Sequence, residues 1–200
     1  MGHKILEKMK YKNTNKLMIV AHADDEVIWA GEKLLKEKGQ WDILCVVTPD
    51  HLSKFRIPIF ENLVSDYFQA NTTMLKYWED PGFNIPVSTD IIYPIYKKIK
   101  SKEWTEILTH GEAGEYGHLH HKQVHSAVVH SVDKLGLLDK LWVFDPIKQP
   151  PIENLTEEKA HIFANTYDDE TNLPIDHPRK WVHGWNTTQG WVENIKKWEA

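Results

Sequence analysis

Residues 17–26 read LMIVAHADDE, and this stretch decides the fold. The apolar run 17–21 is short and partly β-branched, which is typical of a buried strand. One imidazole and three carboxylates follow it within five residues, at His22, Asp24, Asp25 and Glu26. Helical spacing resumes after them, so the cluster is predicted at the carboxyl end of a strand, where open α/β sheets bind ligands.

Apolar runs and amphipathic stretches alternate from here to residue 145. This alternation is typical of a layered α/β domain with a mainly parallel sheet. We predict further strands at 42–48, 104–110 and 141–144, with a weak edge strand within 83–87. We predict helices at 27–38, 59–78, 90–100 and 121–135.

The ends of the chain lack this alternation. Residues 1–16 are Lys-rich and are predicted to form a loose or short helical arm. Residues 17–145 form the α/β domain. Residues 146–200 are predicted to be a C-terminal extension that packs on or caps this domain, with helices at 156–167 and 189–198. Tryptophans in this extension either pin it to the domain or form a lid over the pocket.

The composition limits the classes of function. Two hundred residues with 41% apolar content suffice for one domain with a sizeable core. The net charge of -5, without a long basic run, argues against nucleic acid as a partner. The single cysteine, Cys45, excludes an internal disulfide. Because no stretch is typical of a signal peptide or a transmembrane helix, we expect a cytoplasmic protein without an integral membrane segment.

A second ionisable cluster, YGHLHH at residues 116–121, follows the strand predicted at 104–110. In a doubly wound sheet of order 3-2-1-4-5, the first and fourth strands are neighbours, and their carboxyl ends meet at the topological switch point. The two clusters are therefore expected to face each other across that point. Buried ionisable groups in such number favour a metal ion as a partner.

The side chains available suit a catalytic metal. Zinc accepts imidazole and carboxylate ligands, and a catalytic zinc keeps three protein ligands and an open position for water. Two histidines and one aspartate meet this need, and a further carboxylate can act as general base. Zinc is favoured by ligand type, while iron(II) or cobalt(II) fit the same ligands.

Both clusters also resemble known motifs. AHADDE at residues 21–26 is similar to the AHPDDE signature of the PIG-L/LmbE family of metal-dependent N-deacetylases, and GHLHH at 117–121 resembles its GHPDH motif. The resemblance covers residues 17–145. It implies a Rossmann-like three-layer α/β/α fold with the active site at the carboxyl ends of the first and fourth strands. It further implies a zinc-dependent amide hydrolase that removes acetyl from N-acetylated sugars, such as N-acetylglucosamine conjugates.

The resemblance implies a role for each matched residue. His22, Asp25 and His121 are the implied metal ligands, and Asp24 is the implied general base that takes a proton from the activated water. His118, as an imidazolium, would stabilise the oxyanion or protonate the leaving amine.

Other positions match the family less closely. Tyr116 matches a tyrosine that polarises the acetyl carbonyl in some members. Ala23 and Leu119 replace prolines, and His120 replaces an aspartate. His120 is expected to be exposed or to lie behind a ligand, and with Arg56 it is a candidate for substrate binding.

Some alternatives remain open on the sequence. Acidic residues also favour the first turn of a helix, which accounts for Glu26 without any site. His125 lies one helical turn after His121 and is an alternative ligand, and His110 is expected to line the pocket. A hydrolase of a non-sugar amide, or a metal-binding relative without catalysis, would contain the same clusters.

Overall fold

The computed structural model describes residues 6–47, 53–77, 88–148, 191–192 and 194–199. Seven strands form one sheet: β1 (Leu6–Lys8), β2 (Lys16–Val20), β3 (Trp41–Val47), β4 (Asn71–Tyr77), β5 (Glu106–Thr109), β6 (Leu141–Phe144) and β9 (Ile195–Lys197). Their order across the sheet is β1-β4-β3-β2-β5-β6-β9. A separate two-stranded sheet pairs β7 (Ile147–Lys148) with β8 (Trp191–Val192). The helices are α1 (Asp25–Lys36), α2 (Ser53–Asp66), α3 (Ser88–Lys100) and α4 (Leu119–Lys134).

The five inner strands of the large sheet are parallel. Their order, β4-β3-β2-β5-β6, is the predicted 3-2-1-4-5 order. On β2, Ile19 pairs with Leu44 of β3 and with Thr109 of β5. The first and fourth parallel strands are therefore neighbours, as the sequence predicted.

The sheet is covered on both faces. Residues 17–20 of β2 are completely buried, as expected for a central strand of a parallel sheet. Met18 and Val20 pack into a core cluster with apolar residues of α1 and α2. Leu17 and Ile19 pack on the other face with residues of α3 and α4. This three-layer α/β/α arrangement confirms the predicted fold class.

Three predicted elements differ from the structure. The helix predicted at 59–78 ends at Asp66 as α2, and β4 takes the end of that range. Met74 and Leu75 fit either period, whereas the β-branched pair Thr72–Thr73 fits a strand paired with β3. Part of the predicted loose or helical arm is β1, which pairs with β4, and part of the predicted last helix is β9, which pairs with β6.

Two further predicted elements and the predicted domain division concern other segments of the chain. The strand within 83–87 and the helix at 156–167 lie outside the described residues. The division into arm, domain and extension stays a prediction. None of the helices in the described ranges is long and apolar enough to cross a membrane.

Candidate metal centre

The ends of β2 and β5 bring the two ionisable clusters together. The Thr109 hydroxyl donates to the Ile19 carbonyl at 2.8 Å, and the Ala21 N–H donates to Nε2 of His110 at 2.9 Å. The two loops that follow therefore lie side by side. Two groups of side chains at this edge place ligand atoms within 4.8 Å of one another: His22 with His118 and His121, and Asp25 with His110 and His121.

The three implied metal ligands meet in this cluster. His121 Nε2 lies 3.3 Å from Asp25 Oδ1 and 3.3 Å from His22 Nδ1. His22 Nδ1 lies 3.4 Å from Asp25 Oδ2. All three residues are buried. Two imidazole nitrogens and a carboxylate that lie 3.3 to 3.4 Å from one another are a donor set that fits zinc, iron(II) or cobalt(II).

Neighbouring groups engage the outer atoms of the first two ligands. His22 Nε2 lies 2.9 Å from Nδ1 of His120. Asp25 accepts the His22 backbone N–H at Oδ2 (2.8 Å) and the Trp29 indole N–H at Oδ1 (3.2 Å). Such outer contacts hold a ligating ring or carboxylate in one orientation.

His121, the third implied ligand, contacts Glu115, which the sequence analysis missed. Glu115 Oε2 lies 2.5 Å from Nδ1 of His121 and 3.0 Å from Nδ1 of His110. Glu115 precedes His121 by six residues, and the segment between them changes from loop to helix, so no single period relates the two. The available signal was a carboxylate inside the glycine-rich loop beside the second motif.

A glycine shapes this loop. Gly114 has φ +67°, and a Cβ there would lie 2.6 Å from the His118 carbonyl oxygen. Only glycine suits both the left-handed backbone and the close approach. Gly114 accepts the backbone N–H of His118 at 3.1 Å, so the turn delivers His118 to the start of α4.

Charges inside the cluster favour a cation at His121. Burial lowers the pKa of His121, but Asp25 and Glu115 outweigh it and raise this pKa to about 10. Burial raises the pKa of Glu115, but His110 and His121 outweigh it and lower this pKa to about 2. A metal ion would compete with the proton on His121 Nε2, because ligating imidazoles must be deprotonated there.

Asp24, the implied general base, directly precedes Asp25 in the chain. It is half-buried, and its Oδ2 lies 3.9 Å from Nη2 of the buried Arg56. Burial raises the pKa of Asp24 and the Asp25 charge adds to this, while Arg56 partly offsets both. Its backbone N–H donates to Glu26 Oε2 at 3.0 Å. A raised pKa makes a carboxylate a better proton acceptor.

His118 begins α4 as its N-cap. Its Nδ1 accepts the backbone N–H of His120 at 3.2 Å, which leaves its ring hydrogen on Nε2. Burial, together with His22 and His121, lowers the pKa of His118 to about 3. The surroundings of His118 therefore favour a neutral ring over the expected imidazolium.

The remaining candidate residues of the site differ in solvent exposure. Tyr116 is 43% exposed, and its ring meets those of His118 and His121 edge-on, with centroids 5.6 and 5.4 Å away. His120 is completely buried, so the expectation that it is exposed is wrong. His125 donates from Nδ1 to the His110 carbonyl at 2.8 Å and packs against Trp198, which points it away from the ligand atoms.

Comparison with known proteins supports the fold. No family model matches the chain. An uncharacterized protein of Acanthamoeba polyphaga mimivirus is 24% identical over 179 residues, which cover 82% of this chain and 77% of the viral protein. The structure of N,N'-diacetylchitobiose deacetylase from Pyrococcus horikoshii, complexed with its inhibitor MPG, matches with a TM-score of 0.64 and 13% identity. That match covers 92% of this chain and 85% of the deacetylase. At this identity the likeness establishes a shared fold.

Proposed function

We propose that this protein is a zinc-dependent hydrolase that removes the acetyl group from an N-acetylated sugar or sugar conjugate, as a distant member of the PIG-L/LmbE family. One observation carries the proposal: nitrogen atoms of His22 and His121 and the Asp25 carboxylate lie 3.3 to 3.4 Å from one another, with Asp24 directly before Asp25 in the chain. The fold shared with a diacetylchitobiose deacetylase supports it.

The ligands and the base have separate tasks. A divalent metal held by His22, Asp25 and His121 would polarise the acetyl carbonyl and acidify a water molecule. Asp24 would take a proton from the attacking water as the water oxygen adds to the carbonyl carbon. Arg56, at 3.9 Å, holds the Asp24 carboxylate in place.

Two further groups face the charge that develops on the acetyl oxygen. His118 is neutral with its hydrogen on Nε2, so it can donate a hydrogen bond to that oxygen. The Tyr116 hydroxyl is a second donor at the exposed side. When the C–N bond breaks, Asp24 passes its proton to the amine nitrogen, so that acetate and a free amine leave. With its pKa lowered to about 3, His118 carries a single ring hydrogen at neutral pH and has no second proton to give to the amine.

The partly exposed aromatic ring of Tyr116 suits the binding of a sugar. Tyr116 presents a partly exposed ring beside His118, and aromatic rings suit surfaces that are half apolar and half wet. The structural neighbour is a deacetylase of diacetylchitobiose, which is the same substrate class. Arg56 is the proposed cation for polar substrate groups, while the burial of His120 favours a role behind His22 over direct substrate contact.

The test is acetate release from N-acetylglucosamine, diacetylchitobiose and N-acetylated non-sugar amines. For Asp24→Asn we expect unchanged metal content and a rate roughly 100- to 10,000-fold lower, because general-base catalysis contributes that much. Asp133→Asn, at an exposed position of α4, is the matched control and should keep the full rate.

Three results would contradict parts of the proposal. A full rate for Asp24→Asn would remove Asp24 as the base. Turnover of the non-sugar amides alone would leave a hydrolase but refute the sugar substrate. Bound metal without turnover of any substrate would indicate a metal-binding relative without catalysis.

A further inference from the structure

Glu115 is a buried charge in a backbone conformation that glutamate rarely adopts. Its side chain is 0% exposed, and its φ is +54°. The left-handed region disfavours residues with a Cβ, and such residues persist where their surroundings hold them. Here three contacts hold the carboxylate: Oε1 accepts the Gly111 N–H at 2.8 Å, and Oε2 meets the rings of His110 and His121.

These contacts determine where the ring hydrogens lie. An ionised carboxylate only accepts hydrogen bonds, so Nδ1 of both His110 and His121 carries a hydrogen. His110 Nε2 lies 2.9 Å from the backbone N of Ala21 and 3.3 Å from Asp25 Oδ2. In His121 the hydrogen stays on Nδ1, and Nε2 is the nitrogen that faces Asp25 and His22.

The two rings also support each other. They stack with centroids 4.0 Å apart and an angle of 20° between their planes. Because His110 is tied to the end of β2 through Ala21, the pair connects the loop after β5 to the strand that carries the first motif. One carboxylate thus orients two rings at the junction of β2 and β5.

We propose that Glu115 is a positioning residue of the metal centre, which clamps His121 through Nδ1 so that Nε2 is presented as the ligand atom. This inference rests on the proposed metal centre. It adds to that proposal a residue outside both motifs.

The charge of Glu115 matters because all three of its partners donate hydrogen bonds. Glutamine has the same shape, but one of its two terminal atoms is a donor. Glu115→Gln can therefore satisfy either the Gly111 N–H or the two rings, and one set of contacts is lost. Glu112→Gln, at an exposed position of the same loop, removes the same charge without touching either ring and is the matched control.

The experiment measures zinc affinity by competition with a chromophoric chelator, for wild type, Glu115→Gln and Glu112→Gln. Loss of such an outer contact weakens metal binding by roughly 10- to 100-fold, and we expect this for Glu115→Gln but not for Glu112→Gln. In parallel, nitrogen-edited NMR of the zinc-loaded protein should show His121 bound through Nε2, with a downfield Nδ1 proton that Glu115→Gln shifts or loses.

The outcomes separate this inference from the proposed function. Zinc affinity for Glu115→Gln within about twofold of wild type, with unchanged His121 signals, overturns the positioning role even if acetate is released. Wild type that binds zinc but releases no acetate refutes the hydrolase, while the affinity comparison still decides on Glu115. If Glu115→Gln does not fold, Glu115→Asp, with its carboxylate one methylene further back, takes its place. It should bind zinc about tenfold more weakly, and wild-type affinity would overturn the role.

Discussion

Carboxylates are buried at both ends of the parallel sheet, but different groups neutralise their charge at each end. At the amino end, Asp42 is 1% exposed and accepts hydrogen bonds from Thr14 Oγ1 at 2.6 Å and Asn71 Nδ2 at 2.7 Å. Lys98 and Lys102 lie 3.6 and 3.3 Å from its other oxygen. At the carboxyl end, Asp25 and Glu115 face imidazoles instead.

This difference separates a structural cluster from a reactive one. An ammonium group carries three hydrogens and no lone pair, so the lysines that neutralise Asp42 cannot themselves bind a metal. An imidazole can exchange its proton for a metal ion. The carboxyl end is therefore suited to chemistry, and the amino end to holding the strands together.

The largest effect should come from removing a proposed ligand at the carboxyl end. His22→Ala deletes one of the three converging donors, so zinc affinity should fall by more than about 100-fold, since even outer contacts are worth 10- to 100-fold. His130→Ala, at an exposed position of α4, is the control. Chelator competition measures both, and wild-type affinity in His22→Ala would remove His22 from the ligand set.

A change at the amino end should affect stability alone. Asp42→Asn leaves the buried Lys98 without its counter-charge, so the free energy of unfolding should fall by about 3 kcal/mol. Urea unfolding at pH 7 measures this loss, and zinc affinity should stay unchanged. A drop in affinity without a drop in stability would break the distinction between the two ends.

The same variant has a defined dependence on pH. Burial raises the pKa of Asp42, but hydrogen bonds from Thr14 and Asn71 and the charges of the two lysines outweigh it and lower this pKa. Its stabilising effect is therefore complete above the unfolded pKa of about 4 and is lost as pH falls through the lower folded pKa. The stability difference between wild type and Asp42→Asn should shrink below pH 4, and a difference that grows there would contradict this assignment.

The smallest effect concerns the residue behind His22. His120→Leu removes the acceptor for His22 Nε2, and zinc affinity should fall by about tenfold. His120→Asp retains an acceptor and should bind zinc within a few-fold of wild type, by the same reasoning. Equal affinities for the Leu and Asp variants, measured by chelator competition, would show that this contact does not orient His22.

Much of this arrangement could be predicted from sequence patterns. The inner strands β2, β3, β5 and β6 are apolar runs with clear ends, and the order of a doubly wound sheet then brings the two motifs together. β4 was missed because Met74 and Leu75 extend the period of α2, and pairing with β3 overrides that period. The spacing of apolar residues within 59–78 does not show which strand this segment pairs with.

The parts of the site that were missed depend on contacts made in three dimensions. Glu115 reaches its two rings only through the backbone of its loop, with φ +54° at Glu115 and +67° at Gly114. For His120 the sequence left two positions open, and the pairing with His22 across 98 residues decides between them. The proposed roles of the site residues remain predictions that the experiments above test.

The sequence distance between the two halves of the centre has a consequence for folding. His22 and His121 are 99 positions apart, so their nitrogens meet only after β2 and β5 have paired. Closing a loop of that length costs conformational entropy that the pairing of the strands has already overcome in the native chain. A metal ion would thus find the complete ligand set only in the folded protein. Each tenfold excess of free ion over its dissociation constant would then stabilise the native state by about 1.4 kcal/mol.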